Sequence, residues 1–508
     1  MKPGKTMNSA EILNIHYDLT SGKIDPLTII DPEQNPLILD PKARLNSVSI
    51  EDALFGDGGK GAKTVKVNKR FRDKGMDVFS FRANGGANAG HETFIDGKLI
   101  VTNQLPSGVL QEGVTPVMSR GMIVHPRDLL LEIDTVKEQF GGNLPSDPLI
   151  DRWAILGLDT HRALEKAIKC ITTGSGGSTN KAIAQAYASF YDRTAVFIDT
   201  LLDDDEWESN LRKHYDYING HLRGFGSDFQ LENSTVSAYD DYAGEHHRVG
   251  TQDEFINGLR EQRKELKQYV PEDVQELMKN AWKDTSTAFT VEFGQGAGLD
   301  PWFGIYPDVT ASRTTSRNLP DVTYGIVQPE RIAIRGTVFK TIYMSSVGER
   351  RLPEIPENYD IDNLRAIQEE NREYGKTTGR PRPPKHISMP LFQAQLDYSG
   401  AGLLLPTHLD SGKTDRPIQI IAEYRDKVTK KEKPYHPMQK EIDKLETGSI
   451  IVFDGYDGDK AKEATHPSEL PHNLQVLLAF YHLTTRPIAL GSTGPGPDDY
   501  ISWLGDNA

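Results

Sequence analysis

Arg82-Ala83-Asn84-Gly85-Gly86-Ala87-Asn88-Ala89-Gly90-His91, with Gly56-Asp57-Gly58-Gly59-Lys60-Gly61 upstream of it, decides how this chain reads. Each loop joins glycines that permit unusual backbone turns to residues that can move a proton or hold a phosphate. Short apolar runs alternate with these loops over residues 46–135, the pattern of an α/β sheet. Leu99-Ile100-Val101 reads as a strand and Pro126 to Ile133 as the start of a helix. The same order returns near the C-terminus. Ile418 to Ala422 and Ile450 to Phe453 read as strands, Leu474 to Leu483 as a helix, and Ile488-Ala489-Leu490 as a strand running into Gly491. The expected fold is therefore α/β, a single large domain on a mostly parallel central sheet.

Between these parts the composition changes. Residues 1–45 are rich in Pro and Asp and read as an N-terminal extension, ordered in part by Leu27, Ile29, Ile30, Leu37, Ile38 and Leu39. Residues 202–290 read as a helical, insertion-bearing segment, with helices around 253–268 and 271–284 and Pro271 at a helix start. Residues 355–385 are charged and Pro-rich and read as a mobile loop.

The chain has 508 residues, enough to bury a large core, and a net charge of −15 that argues against non-specific binding to nucleic acid or anionic membranes. Cys170 is the only cysteine, so no internal disulfide can form and a reducing, cytoplasmic setting is expected. No run approaches the ~18 apolar residues of a membrane span.

The loops that could carry chemistry are each ambiguous alone. Gly56 to Thr64 fails the Walker A pattern, because Asp57 and Ala62 stand at its glycine positions. Its glycines could still turn backbone N–H groups inward as an anion nest, with Lys60 as a point charge; the alternative is a surface turn. A carboxylate in such a nest is repulsive unless it takes a proton or holds a cation, which singles out Asp57. His91 could be a general acid, a metal ligand or a loop histidine bonded to backbone. His246-His247 cannot easily face one metal, which makes a zinc hydrolase unlike this chain. Thr172 to Thr179 could hold phosphate or be a linker. Thr377-Thr378-Gly379-Arg380-Pro381-Arg382 suits carboxylate or phosphate. Asp410, after Leu403-Leu404-Leu405, could accept from a guanine edge.

The order of these loops resembles the adenylosuccinate synthetase family from about residue 46 to the C-terminus. The family's Gly-Asp-Glu-Gly-Lys-Gly-Lys matches Gly56 to Ala62, and its Gly-Gly-His-Asn-Ala-Gly-His-Thr matches Gly85 to Glu92. Leu105-Pro106-Ser107-Gly108, Gln295-Gly296, Gly304 to Ser312, Val347-Gly348-Glu349, Thr377 to Arg380, His408-Leu409-Asp410 and Ser492 to Pro495 follow in family order.

The resemblance implies a P-loop-like, GTP-binding ligase that condenses IMP with L-aspartate through a 6-phosphoryl intermediate. Asp57 would be the base, His91 the acid and Lys60 their catalytic neighbour, with Asp57 and the Gly90 carbonyl holding one Mg²⁺. GTP would lie against Gly56, Gly58, Gly59, Lys60, Gly61, Gly90, Glu92, Arg382, His408, Asp410, Ser492, Thr493 and Gly494. IMP would meet Asp57, Lys60, Asn88, Gly90, His91, Thr173, Gln295, Thr310 and Arg380, and Arg193 reaching across a homodimer. Aspartate would meet Thr377, Thr378, Gly379, Arg380 and Arg382.

Departures from the family are Gly58 for Glu, Ala62 for Lys, Ala87 for His, Ser175 for Arg, His408 for Lys and Arg313 for Asn. They leave two alternatives: the same mechanism on dGMP, GMP or another amine donor, or a non-catalytic nucleotide sensor. A branch of the family acting on dGMP replaces the loop Asp by a small residue, which Asp57 argues against.

Overall fold

A computed structural model describes residues 6–171, 179–229, 238–345, 348, 350–356, 361–374 and 381–504. Its centre is a sheet of seven strands: β1 (Arg44–Asp52), β2 (Asp77–Arg82), β3 (Val114–Met118), β4 (Leu149–Ile150), β5 (Thr287–Glu292), β6 (Ile332–Lys340) and β7 (Leu403–Thr407). They lie in the order β7-β6-β1-β5-β2-β3-β4, and every neighbouring pair is parallel. A parallel sheet of this kind is covered on both faces. The expected α/β class and mostly parallel sheet are what the chain forms.

β1 is polar for a central strand, yet it is buried from Ser47 to Asp52. Its alternation explains this. Val48 and Ile50 pack with Val67 and Phe71 of the helix Lys60–Asp73. On the other face two polar groups find partners: Ser47 Oγ accepts the Ala333 N–H at 2.9 Å, and Glu51 Oε2 accepts the Ser316 N–H at 2.7 Å. Ser49 Oγ, between them, is buried without a hydrogen-bond partner among the described residues.

Two further cores flank the sheet. One joins the helices Pro126–Gln139, Asp159–Ile171, Trp207–Gly224 and Gln252–Leu266 beside β3. The other gathers the C-terminal strands and the helix His472–Thr484. The N-terminal helix Ser9–Thr20, capped by Asn8 and Glu11, buries Ile12 and Leu19 against that second core. Residues 6–45 are thus tied down more firmly than by the expected side chains alone. Ile38, expected among the ordering residues, is 88% exposed.

Three expectations need correction. The span 202–290 runs into β5, which lies between β1 and β2 at the heart of the sheet. Pro271 stands ahead of its helix, Val274–Lys283, whose cap is Asp273 accepting from the Glu276 N–H. The charged stretch 355–385 contains a helix, Ile361–Glu370, that buries Ile367.

His161 and His214 sit side by side between helices, with ring centroids 4.8 Å apart and planes tilted by 60°, and His214 Nε2 lies 2.9 Å from Thr160 Oγ1. Burial holds His214 down at about 4 and, with the neighbouring His214, keeps His161 well below the ordinary histidine value. The unfolded chain protonates both near pH 6.5. A depressed folded value gives stability that is present above pH 6.5 and lost as pH falls through about 4. Tm is expected to drop over that window, and His214→Gln to shallow the drop; an unchanged slope would remove His214 from this role.

Candidate active site

β1, β5 and β2 are neighbours, and each ends in a charged residue at the same edge: Asp52, Glu292 and Arg82. The carboxyl ends of parallel strands are where α/β sheets place their sites. Here they carry the two glycine loops.

Asp52 folds the first loop. Its Oδ1 accepts the N–H groups of Leu54 at 2.9 Å and Gly56 at 3.2 Å, and its Oδ2 accepts that of Gly58 at 2.8 Å. Lys60 Nζ lies 3.5 Å from the same Oδ2, and both side chains are buried. Gly56, Asp57 and Gly59 have φ of +88°, +58° and +86°. These are left-handed conformations that glycine adopts freely and that Asp tolerates better than most residues. The expected anion nest is therefore partly filled from within, since the Gly56 and Gly58 N–H groups bind Asp52. What stays open is the first turn of the helix Lys60–Asp73. Its first intrahelical bond is Lys63 N–H to the Gly59 carbonyl, at 3.0 Å, so the N–H groups before it have no helical acceptor. The Asp57 carboxylate turns the other way and pairs with Arg382, Oδ2 to Nε at 3.1 Å.

The second loop lies over that turn. A Cβ on Gly61 would meet His91 Cβ at 2.7 Å, so only glycine lets the helix approach His91 this closely. His91 is buried at the start of the hairpin strand His91–Ile95. Its Nδ1 lies 3.6 Å from Glu292 Oε2, too far for a hydrogen bond, and both ring nitrogens lack a hydrogen-bond partner. Burial, then the Arg82 cation, pushes the imidazole below its ordinary value, with Lys60 acting in the same direction. Glu292 stays ionised. Burial opposes its charge, but His91, Arg82 and the Ser107 N–H outweigh it and hold it at about 2. An unpartnered, buried, neutral imidazole beside a fixed carboxylate can donate one proton or one hydrogen bond to an arriving anion.

The rest of the second loop faces Gln295. Asn84 accepts the Gly294 N–H at 2.7 Å and donates to Ser312 Oγ at 3.0 Å, and Ser312 donates to Gln295 Oε1 at 3.2 Å. A Cβ on Gly85 would lie 3.4 Å from the Gln295 amide and 3.7 Å from Asn88 Oδ1. Gln295 Nε2 and Asn88 Oδ1 are sealed from solvent without partners. Buried polar atoms of that kind are rare unless a ligand completes them. Asn103 Nδ2 steadies the loop from behind, donating to the Ala89 carbonyl at 2.7 Å, while Glu132 accepts the N–H groups of Asn103, Gln104 and Leu105. Gly90 and Glu92 are half-buried beside His91, and Thr310 precedes Ser312 on its segment.

On the far side of the loops, Arg382 donates its N–H to the Glu373 carbonyl at 2.9 Å. Glu373 holds Lys340, the last residue of β6, together with Tyr343 and Ser345. His408, at φ +58°, is pushed down to about 4 by burial and by Lys340. Asp410 follows it, raised by burial although Lys462 and Lys66 oppose the shift. Lys66 also donates to the Gly494 carbonyl at 2.9 Å and the Asp499 carbonyl at 2.7 Å, which ties Ser492, Thr493 and Gly494 to the helix Lys60–Asp73.

Thr173, Thr377, Thr378, Gly379 and Arg380 lie outside the described residues. Arg193 is not brought to these loops within the chain. It stands exposed at φ +62° after the helix Ile183–Tyr191, beside the exposed Phe190 and Tyr191. Asp52, Arg82, Glu292, Asn103 and Glu132 are site residues that motif reading missed. For Arg82 and Glu292 the available signal was a charged residue closing an apolar strand; Asp52, Asn103 and Glu132 carried no such mark.

A family model described as adenylosuccinate synthetase matches residues 51–501. The adenylosuccinate synthetase of Clostridium kluyveri is 28% identical over 453 residues, covering 88% of this chain and 97% of its own length. That of Salinibacter ruber is 28% identical over 459 residues, covering 88% and 96%. The solved structure of a fully ligated adenylosuccinate synthetase from Plasmodium falciparum aligns with a TM-score of 0.75 at 22% identity, over 90% of this chain and 99% of that one, a likeness of fold.

Proposed function

The chain belongs to the adenylosuccinate synthetase family and is a ligase forming carbon–nitrogen bonds, and from that premise we propose that it condenses IMP with L-aspartate at the expense of GTP, giving adenylosuccinate, GDP and phosphate. The observation that carries this reading is the meeting of His91 with the helix N-terminus that begins at Lys60, across the Gly61 contact, with Asp57 on the loop leading into it and paired with Arg382. A non-catalytic sensor has no use for a proton acceptor and a neutral imidazole on two loops that flank one helix N-terminus.

In the first half-reaction Asp57 takes the N1 proton of IMP, and O6 attacks the γ-phosphorus of GTP. The P–O bond to the β-phosphate breaks, and GDP leaves. Charge that spreads onto the transferring oxygens meets the open N–H groups of the helix turn, the Lys60 ammonium and an N–H of His91. In the second half-reaction the aspartate amine attacks C6, and O6 departs with its phosphoryl group as phosphate. A poor oxo leaving group has become a good one. Asn88, Gln295, Thr310, Thr173 and Arg380 would orient IMP, with the unpartnered Asn88 Oδ1 and Gln295 Nε2 as the described atoms that lack a ligand. Arg382 and the 377–380 loop would hold aspartate. Asp410 would read guanine, with His408 and Ser492 to Gly494 beside it.

A Mg²⁺ ion fits this donor set. Mg²⁺ takes oxygen ligands and relies on one or two carboxylates plus phosphates and water; the Asp57 carboxylate is partly exposed at the loop mouth, with the Gly90 carbonyl as a second protein donor. Bound there, it would neutralise phosphate charge. A homodimer would bring the partner subunit's Arg193 to the IMP phosphate, and the exposed aromatic rings of Phe190 and Tyr191 support a buried face at that point. The single cysteine and the nucleotide substrates favour a cytoplasmic setting.

The test is a matrix: GTP and Mg²⁺ with IMP, dGMP or GMP against aspartate and other amino acids, reading phosphate release. Release is expected with IMP and aspartate. No release in any combination would sink the ligase assignment for this chain, and release with dGMP but not IMP would replace its substrate.

A further inference from the structure

Gly58 stands where the family loop has a carboxylate, and the structure explains what fills its place. A Cβ on residue 58 would come 2.5 Å from Asp52 Oδ2 and 2.9 Å from Val338 Cγ2. The volume that a side chain at 58 would enter is already taken by a carboxylate delivered from β1. That carboxylate is 1% exposed. It binds three loop N–H groups and lies 3.5 Å from the Lys60 ammonium. A buried ammonium without a counterion is strongly disfavoured, so the position of Lys60 depends on it. Lys60 in turn lies near enough to His91 to act on its charge.

We propose that Asp52 is the positioning residue of the phosphoryl site: it supplies from the end of β1 the carboxylate that its own glycine loop lacks, and so sets both the loop and Lys60. Asp52 need touch neither nucleotide, because every hydrogen bond and ion pair described for its side chain goes to the loop or to Lys60. This rests on the ligase reading above. Its consequence is a division of labour. The Gly56 and Gly58 N–H groups shape the loop, and phosphate is left to the helix turn and to Lys60.

Asp52→Asn is the direct test, since it keeps the shape and the two bonds to Oδ1 while placing an amide against the Gly58 N–H and Lys60. With IMP, aspartate, GTP and Mg²⁺, kcat is expected to fall by ~10–10²-fold, the effect of a misplaced catalytic cation. GDP affinity measured by calorimetry without turnover should stay within about threefold, because the helix-turn donors remain. A kcat within about threefold of the unaltered protein, or a parallel loss of kcat and GDP affinity, overturns the assignment.

A second arm asks whether the carboxylate can move. In a Val338→Ala background, which clears the other close contact, Gly58→Glu should reduce kcat by at least as much as Asp52→Asn. Adding Asp52→Gly should restore about tenfold or more, a coupling expected only of groups that share one place. A double variant no better than Gly58→Glu overturns the exchange, and if Gly58→Glu does not fold, the Asp52→Asn arm decides alone. No turnover by the unaltered protein removes the ligase reading and this inference with it; turnover by the unaltered protein and by Asp52→Asn alike removes only the inference.

Discussion

His91→Asn is expected to lower kcat by ~10²–10⁴-fold, the usual loss when a general acid is removed. The site explains why the loss should be large and confined to chemistry. His91 has no hydrogen bond to give up, because both ring nitrogens are unpartnered, and the variant loses only the 3.6 Å approach to Glu292, which keeps Arg82 and the Ser107 N–H. Its loop is held by Asn103 at the Ala89 carbonyl and by packing on Gly61, neither of which uses the ring nitrogens. Tm and GDP affinity should therefore change little. Burial and Arg82 keep the imidazole neutral before substrate arrives, and an entering polyphosphate reverses that balance by bringing negative charge. GTP binding near neutral pH should take up a proton in the unaltered protein and a smaller fraction of one in the variant, read by calorimetry in buffers of different ionisation enthalpy. A kcat change under about tenfold would take His91 out of the acid role.

Much of this site was legible as local pattern, and what was not has a physical cause that differs from residue to residue. Glycines flanking Asp57 and His91 announce tight backbone, and φ values of +88° at Gly56 and +58° at Asp57 are what that spacing requires. The strand and helix periodicities near both ends were equally readable. Arg82 and Glu292 were invisible because their proximity is made by parallel register: β2 and β5 pair Arg82 with Glu292 across 210 residues of chain. No motif spans that distance. Asp52 was hidden for the opposite reason. It lies close to the loop in sequence, but at the end of a polar-looking strand nothing in the pattern singles it out, whereas its three N–H bonds make it the loop's organiser. The helix Ile361–Glu370 was missed because charge and proline outweighed a thin apolar stripe in the composition. Ile38 was misjudged because hydrophobicity alone does not say whether a neighbouring element is within reach.

Asp57→Asn is the second variant for which a loss of ~10²–10⁴-fold in kcat is expected. Asparagine is the informative replacement here. Residue 57 sits at φ +58°, a conformation that Asn tolerates and that would strain alanine by about 1–2 kcal/mol. Asp57→Ala would mix that strain with the loss of the base, whereas Asp57→Asn keeps the loop and removes only the charge. Two consequences separate Asp57 from a merely structural residue. The Arg382 guanidinium, 3.1 Å from Asp57 Oδ2, loses its counterion, so the aspartate KM is expected to change along with kcat, which His91→Asn should leave alone. The Mg²⁺ concentration for half-maximal rate should also rise, since a neutral amide is a poorer ligand for a hard cation than a carboxylate. A variant that retains kcat within about tenfold would show that the N1 proton leaves by another route. A variant that loses kcat without any shift in Mg²⁺ dependence would keep Asp57 as the base and move the metal to other oxygens.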